Sequence, residues 1–438
     1  MPDSRNLRAA SIAALLVGFA SAAAVAGEQS VTQLNGSDAM LTLGTVAFQG
    51  GRTVTFNLGI GSGAFRHPSD PPNVIVTISD RGPNFPCAEA RQVTGIDGKT
   101  LCHGVKHARI YPVPDYSPSI YTVRLNDDGT FTVKDAIALK DARGVPINGL
   151  LNPLTVATTE NAIDGAGKPL PQNPDAVDAE GIVKLSDGSY WVSEENAPSV
   201  MHVAASGRIL QRFVPAGTEK DFAGAHYEIV GALPAIFAKR EGNRGLEGLA
   251  ISPDERFLYT VMQNPLANPD SKAYAKARNS RILKIERATM KPVGEYIYQL
   301  ADPMSFRLDP STKQNAPRIS ELSALGPDRL LVLERTEGTT KLFEVTLAGA
   351  TDILGGKWDD PATSPTLEQT NDLGPTGVTP VAKRLRFDSA DHPTIPSKLE
   401  GIAQLGDGRI ALINDSDFGI SGAVTRIVVV KGMDLGAD

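Results

Sequence analysis

Four glutamates, Glu180, Glu247, Glu321 and Glu400, each stand at the start of an apolar strand that a short turn rich in Gly, Asp or Pro returns as a second apolar strand. The copies read DAEGIVKLSDGSYWVSEEN from Asp178, GLEGLAISPDERFLYTVMQN from Gly245, ISELSALGPDRLLVLERT from Ile319 and KLEGIAQLGDGRIALINDS from Lys398. A fifth, degenerate copy from Gly59, GIGSGAFRHPSDPPNVIVTISDRGPN, carries Ser62 and Gly63 at the place of the acid. Carboxylates gathered in one place repel one another and titrate abnormally unless something positive sits among them, and an oxygen-rich cluster of this kind is what Ca²⁺ selects. Taken singly, each acid has a plainer use, accepting backbone N–H bonds that lock one repeat to the next. Recurrence in register turns the balance toward metal binding for the set.

A second polar column ends the return strand of each copy: Ser79-Asp80-Arg81, Glu194-Glu195-Asn196, Met262-Gln263-Asn264, Glu334-Arg335-Thr336 and Asn414-Asp415-Ser416-Asp417. The two columns together nominate Asp80, Glu180, Glu195, Glu247, Glu321, Glu400 and Asp415 as metal ligands, with Glu195, Glu334 and Asp415 as candidates to activate a water. Arg81 and Arg335 occupy equivalent strand ends and Arg244 lies three residues before Glu247, so all three are candidates to neutralise a phosphate beside the metal. The plainer use for each is an ion pair with a neighbouring acid. His67, His202, His226 and His392 show no ligand spacing, although His226 falls in a long loop and is a candidate general acid. No Gly-x-Ser-x-Gly, Ser-x-x-Lys or P-loop motif is present, and Gly59 to Ala64 sits inside a strand repeat rather than before a helix.

Elements of a particular kind must hold these columns. Strand signals dominate, from Thr53–Leu58 through Val424–Val430, each short, rich in branched or aromatic residues and bounded by Gly, Asp, Asn or Pro. Hairpins recurring at this period stack radially, their innermost strands lining a central channel in which the glutamates converge. The expected fold is therefore an all-β propeller of five to seven four-stranded blades, six being the central expectation, with long loops between blades and residues 33–48 supplying a strand that closes the ring. Short helices are expected only in insertions, at residues 234–241 and 270–278.

At the N-terminus, Arg5 and Arg8 precede an Ala-rich apolar stretch that ends in Ala24-Val25-Ala26, which reads as a signal peptide over residues 1–26, leaving a single propeller domain over 27–438. The mature chain is expected in the periplasm or outside the cell, with no membrane span after cleavage and as a monomer. Cys87 and Cys102, the two cysteines, are expected to pair in that oxidising setting. A net charge of −7 without a basic run argues against nucleic acid as a partner and leaves a small-molecule ester.

With these motifs in hand, ISDRGPN, DAEGIVKLSDGSYWVSEEN, NRGLEGLAISPDERFLYTVMQ, LLVLERT and KLEGIAQLGDGRIALINDSDFG resemble the phytase-like, or "esterase-like activity of phytase", family of exported bacterial proteins, over roughly residues 41–430. The resemblance implies a β-propeller and hydrolysis of phosphate esters with Ca²⁺ held by channel acids. Two other readings compete. A propeller lactonase or carboxylesterase of the gluconolactonase and paraoxonase kind would use Glu, Asp and amides such as Asn196, Asn264 and Asn414, and a non-catalytic periplasmic binding or scaffold propeller would keep the acids for structure alone.

Overall fold

The computed structural model describes residues 29–436; the expected signal peptide lies outside them. Five sheets radiate from one axis. Blade I is built from Gly63–Phe65, Val74–Ile78, Ser119–Leu125 and Phe131–Ala138. Blade II takes Ala179–Lys184, Tyr190–Glu194, Ser199–Val203 and Ile209–Pro215, with Glu228–Leu233 added in parallel at its outer edge. Blade III is Leu246–Ile251, Phe257–Met262, Asn279–Glu286 and Lys291–Gln299, and blade IV is Arg318–Gly326, Arg329–Arg335, Thr340–Thr346 and Ala382–Asp388. Blade V joins Leu399–Gln404, Ile410–Asn414 and Arg426–Lys431 to Ser30–Asn35 from the other end of the chain, paired antiparallel from Ser30 with Lys431 to Asn35 with Arg426. That pairing closes the ring and removes an open sheet edge.

The count is five, the lower end of the expected range rather than six. The long interval between the first two hairpins holds no extra blade. It supplies the outer strands of blade I and a small sheet of Phe85–Pro86, Ala108–Tyr111 and Asn161–Asp164, the last two parallel. The ring is closed by strand Ser30–Asn35. Most of the stretch expected to do so instead forms Thr42–Ala47, which hairpins with Thr53–Asn57 and packs through Phe48 and Phe56 onto the small sheet. Cys87 and Cys102 are disulfide-bonded within this insertion. Of the two expected helices, one is a single turn, Ser271–Tyr274, and the other a 3₁₀ segment, Ala235–Lys239.

Burial follows the strand period. Alternate residues of each blade fill the gap to the next, so one apolar cluster lies at each of the five blade-to-blade interfaces. Buried ion pairs staple the periphery: Arg212 meets Glu194 at 3.0 Å, and Arg281 meets Glu295, Asp359 and Glu368, which ties the insertion after blade IV's third strand to blade III.

At the axis the inner strands approach so closely that four of them present glycine. A Cβ on Gly181 would stand 2.5 Å from the Leu249 nitrogen, and one on Gly248 would stand 2.7 Å from the Leu322 nitrogen. Replacing Gly248 with Ala therefore overpacks backbone against backbone and is expected to cost about 1–3 kcal/mol. Gly44→Ala, where a Cβ meets nothing within 4 Å, is the control. Urea unfolding of the two variants checks this, and equal midpoints would refute the packing account.

Candidate functional site

Strand register decides which side chains reach the axis. Ile182, Leu249, Leu322 and Ile402 pair with Val192, Thr260, Val332 and Leu412, and in each blade the register shifts just before them. Counting back one residue gives Gly181, Gly248, Glu321 and Gly401, with Gly63 equivalent in blade I. Counting back two gives Glu180, Glu247, Ser320 and Glu400, with Ser62 in blade I. Glu321 thus belongs to the glycine column, one residue out of step with the other three glutamates. Its side chain fills the axis where four glycines leave room: Oε1 accepts from the backbone nitrogens of Leu249 and Leu322, both at 2.9 Å, and Oε2 lies 2.9 Å from where a Cβ on Gly63 would be. Burial pushes the carboxyl up, against the backbone N–H bonds it accepts.

Above this plug opens a cavity of about 330 Å³. Glu180, Glu247 and Glu400 form its floor, and the second column lines it with one residue from each blade: Asp80, Glu195, Gln263, Arg335 and Asp415. The residue two before the floor position, on the same strand face, contributes Asp178, Arg318 and Lys398. One wall comes from the small sheet, which brings Asn84, Arg109 and Glu160.

The charges are sorted into two halves. Asp178, Glu180 and Glu195 each offer an oxygen within 4.8 Å of the others. Burial first, then the charge of Asp415 on Asp80 and of Glu247 on Glu180 and Glu195, with Asp178 acting on all three, push Asp80, Glu180 and Glu195 well above the usual carboxylate range. Glu247 is pushed up to about 8 by burial and by the charge of Glu400. Arg81 and Arg244 only partly compensate, at 3.4 Å from Asp178 and Glu195 respectively. Oδ2 of Asp178 and Oε2 of Glu247 are buried without a hydrogen-bond partner among the described residues.

The opposite half is cationic. Arg335 binds Glu400 and donates to Ser320 Oγ, Arg318 binds Glu337, and Lys398 bridges Asp415 at 2.9 Å and Asp417 at 2.7 Å. Burial and then the positive charges of Arg335 and Arg244 lower Arg318, whose Nε is buried without a partner. Burial works against Asp415, but Lys398 outweighs it and holds the carboxyl down at about 2, while Glu400 sits up at about 7, chiefly through its own burial.

Of the residues nominated from sequence, the structure brings Asp80, Arg81, Glu180, Glu195, Arg244, Glu247, Arg335, Glu400 and Asp415 into one cavity. Glu321 lies beneath it. Glu334 lies elsewhere: strand alternation turns it to the opposite face from Arg335, where its carboxylate accepts from Tyr298 Oη at 2.7 Å and Lys383 Nζ at 2.9 Å, so it is withdrawn as a water-activating acid. His226 is bound to Asp175 outside the cavity. Asn264 donates to the carbonyl of Pro317 and Asn414 accepts from the backbone nitrogen of Arg426, and neither they nor Asn196 line the cavity. Sequence reasoning passed over Asp178, Arg318 and Lys398; counting two residues back from Glu180 and Glu400 finds the first and last, but Arg318 is found only once Ser320 is known to hold the floor position of its blade. Arg109 and Glu160 had no such signal, because a parallel pairing across an insertion places them.

The raised acids make the metal-free fold sensitive to pH. A carboxyl whose folded value is raised above about 4.5 holds its proton more tightly in the native state, so its contribution is complete below that value and is lost as pH rises through about 7 for Glu400 and about 8 for Glu247. Asp415, depressed to about 2, acts oppositely and only in strong acid. In chelator the melting temperature is expected to fall between about pH 5 and 8, and Glu247→Gln is expected to flatten that fall. Scanning calorimetry checks both, and a level or rising profile would count against the carboxylate cluster as the source.

Known proteins give the following picture. An uncharacterized secreted protein from Arthroderma benhamiae is 30% identical over 188 residues, which cover 39% of this chain; the chain spans 36% of that relative's length. The PQQ-bound aldose sugar dehydrogenase from Streptomyces coelicolor aligns over 92% of this chain and 98% of its own, at 10% identity and a TM-score of 0.33. Virginiamycin B lyase from Staphylococcus aureus aligns over 92% and 99%, at 14% identity and a TM-score of 0.30. At such scores neither bears on the chemistry of this chain. Among the described residues no helix is long and apolar enough to cross a membrane. Residues 62–418, from the floor position of blade I to the loop before the last strand of blade V, match the model described as "Esterase-like activity of phytase", and the chain belongs to that phytase-like family.

Proposed function

We propose that the chain is an exported hydrolase of phosphate esters, a single propeller domain preceded by a signal peptide, that works with Ca²⁺ in the axial cavity. The observation that carries this reading is the pairing of two opposite charge clusters in one cavity, where Glu247 Oε2 among the acids and Arg318 Nε among the cations are buried without a hydrogen-bond partner among the described residues. A ligand that meets these atoms relieves a cost of about 1–3 kcal/mol for each buried unsatisfied group.

The donor set fits the ion. Asp178, Glu180 and Glu195 supply hard carboxylate oxygens in mutual reach, with Asp80 beside them, and such ligands suit Ca²⁺. When bound, the ion supplies Lewis acidity toward a phosphoryl oxygen and makes a nearby water more acidic. Arg318 and Arg335, with Arg244 beside them, neutralise the phosphate, the guanidinium geometry matching its oxygens. Asp415 is too acidic to take up a proton near neutral pH. Glu247 suits the role better, lying between the halves under the charges of Glu400, Arg335 and Arg244 and with Oε2 unpartnered. Water adds its oxygen to phosphorus and gives a proton to Glu247 Oε2. The P–O ester bond breaks, and that proton passes to the departing alkoxide oxygen, leaving an alcohol and inorganic phosphate.

The roles separate by mutation. Glu180→Gln is expected to weaken Ca²⁺ binding and to abolish the rise in melting temperature that Ca²⁺ produces. Glu247→Gln is expected to keep much of that rise while lowering kcat by about 10²–10⁴-fold. Arg318→Ala is expected to keep the rise and raise KM. Calorimetry with Ca²⁺ or chelator and phosphate release from phosphomonoesters read these out. A melting temperature indifferent to Ca²⁺, with no phosphate released, would refute the proposal.

A further inference from the structure

The cavity lining holds a second piece of chemical information. Its residues are ten acids, six cations, three amides and one glycine, with no hydrophobic side chain among the described residues. Sites for nucleobases, aryl groups or acyl chains are lined predominantly by apolar and aromatic surface, because burying an apolar group against charges recovers little and strips water from the charges. A ligand here must be polar over its whole surface.

Charge narrows the class further. Ten acids against six cations make the lining formally acidic before any metal binds. A ligand with several phosphates would place most of them against carboxylates, since the free guanidinium capacity is confined to the cluster around Arg318, Arg335 and Arg244.

Two neutral acceptors complete the argument. Gln263 donates to Glu247, which leaves its Oε1 buried without a partner, and Oδ1 of Asn243 is also buried and unpartnered. Both residues come from blade III beside Glu247 and Arg244, where the acidic and cationic halves meet. A phosphate dianion brings no donor to satisfy them, whereas a hydroxyl group does. Asn243 holds φ +54°, a left-handed conformation that Gly, Asn and Asp adopt more readily than other residues.

We propose that the ester taken by this site is the monophosphate of a small polyol or sugar, its phosphate on the guanidinium cluster and its hydroxyls on the amide oxygens of Gln263 and Asn243. This rests on the phosphate-ester reading above. Hydrogen-bonding sites of this kind discriminate strongly against analogues that lack the hydroxyl, because the site's own groups are then left unpaired.

The test compares kcat/KM, with Ca²⁺, for glycerol phosphate and glucose phosphate against p-nitrophenyl phosphate, AMP and inositol hexakisphosphate. The polyol monophosphates are expected to lead by about tenfold or more, the equivalent of one hydrogen bond's worth of discrimination. Asn243→Gly suits the positive φ and removes one acceptor. It is expected to raise KM for glucose phosphate about tenfold while leaving inhibition by inorganic phosphate and the Ca²⁺-induced melting shift unchanged. Turnover of p-nitrophenyl phosphate or AMP equal to that of the polyol esters, or an Asn243→Gly enzyme with unaltered preference, overturns the polyol assignment and leaves phosphate-ester hydrolysis standing. Failure to hydrolyse any phosphate ester with Ca²⁺ overturns the underlying reading and this inference with it.

Discussion

Everything in this molecule depends on how closely five inner strands approach one another at the axis. Side chains cannot fit there, so four strands present glycine and the fifth presents Glu321, whose carboxyl binds the backbone nitrogens that the crowding leaves exposed. A strand reverses the direction of successive side chains. Once one position is forced onto the axis, the residue before it must aim out of the ring and the next residue on that face must follow it. The cavity above the plug is therefore a consequence of closure: the floor, the second column and the Asp178–Arg318–Lys398 positions are all fixed by the same contact.

Closure also explains why the cavity is electrostatically costly. Five blades bring their strand ends into a space of about 330 Å³, and a chain that places acids at most of those ends has to hold several carboxylates out of water. The fold offsets part of this with Arg81, Arg244, Arg335 and Lys398, each pointed at a particular acid. What is left over is concentrated on one side, among Asp80, Asp178, Glu180, Glu195 and Glu247. Peripheral buried charges behave differently: Glu194 and Glu334 have dedicated cationic partners and hydrogen-bond donors. Those two carboxylates are fully satisfied, whereas Glu247 in the cavity keeps an oxygen without a hydrogen-bond partner among the described residues.

The sequence made the architecture legible because hairpins, turn dipeptides and a recurring acid are local signals. It misled where a local signal and a register disagreed. In Ile319-Ser320-Glu321-Leu322 no glycine follows the acid, and this absence marks Glu321 as the occupant of the glycine position. Glu334 and Arg335 looked equivalent as neighbours, yet a strand can send only one of two adjacent side chains to a given face. Blade number failed for a different reason, since the interval after blade I is filled by an insertion whose small sheet has nothing propeller-like in its pattern. That insertion delivers Asn84, Arg109 and Glu160 through parallel pairing of Ala108–Tyr111 with Asn161–Asp164, a long-range event that no periodicity reports.

The division of labour between the two columns follows from their backbone settings. Floor residues sit on inner strands whose neighbours are a bulge and a glycine, so their position is fixed within the ring, and the carboxylate cluster built on Glu180 gains preorganisation from closure itself. Rim residues such as Glu337 and Asp417 lie on loops, exposed, and bind Arg318 and Lys398 as exchangeable counter-ions. Exposed ion pairs contribute little to stability. An anion entering the cavity has only to replace these weak partners to reach the guanidinium cluster, whereas nothing in the rim can relieve the crowded acids beneath. On the proposed reading, the rigid half of the site is the half that takes the cation, and the adaptable half is the one that takes the phosphate ester.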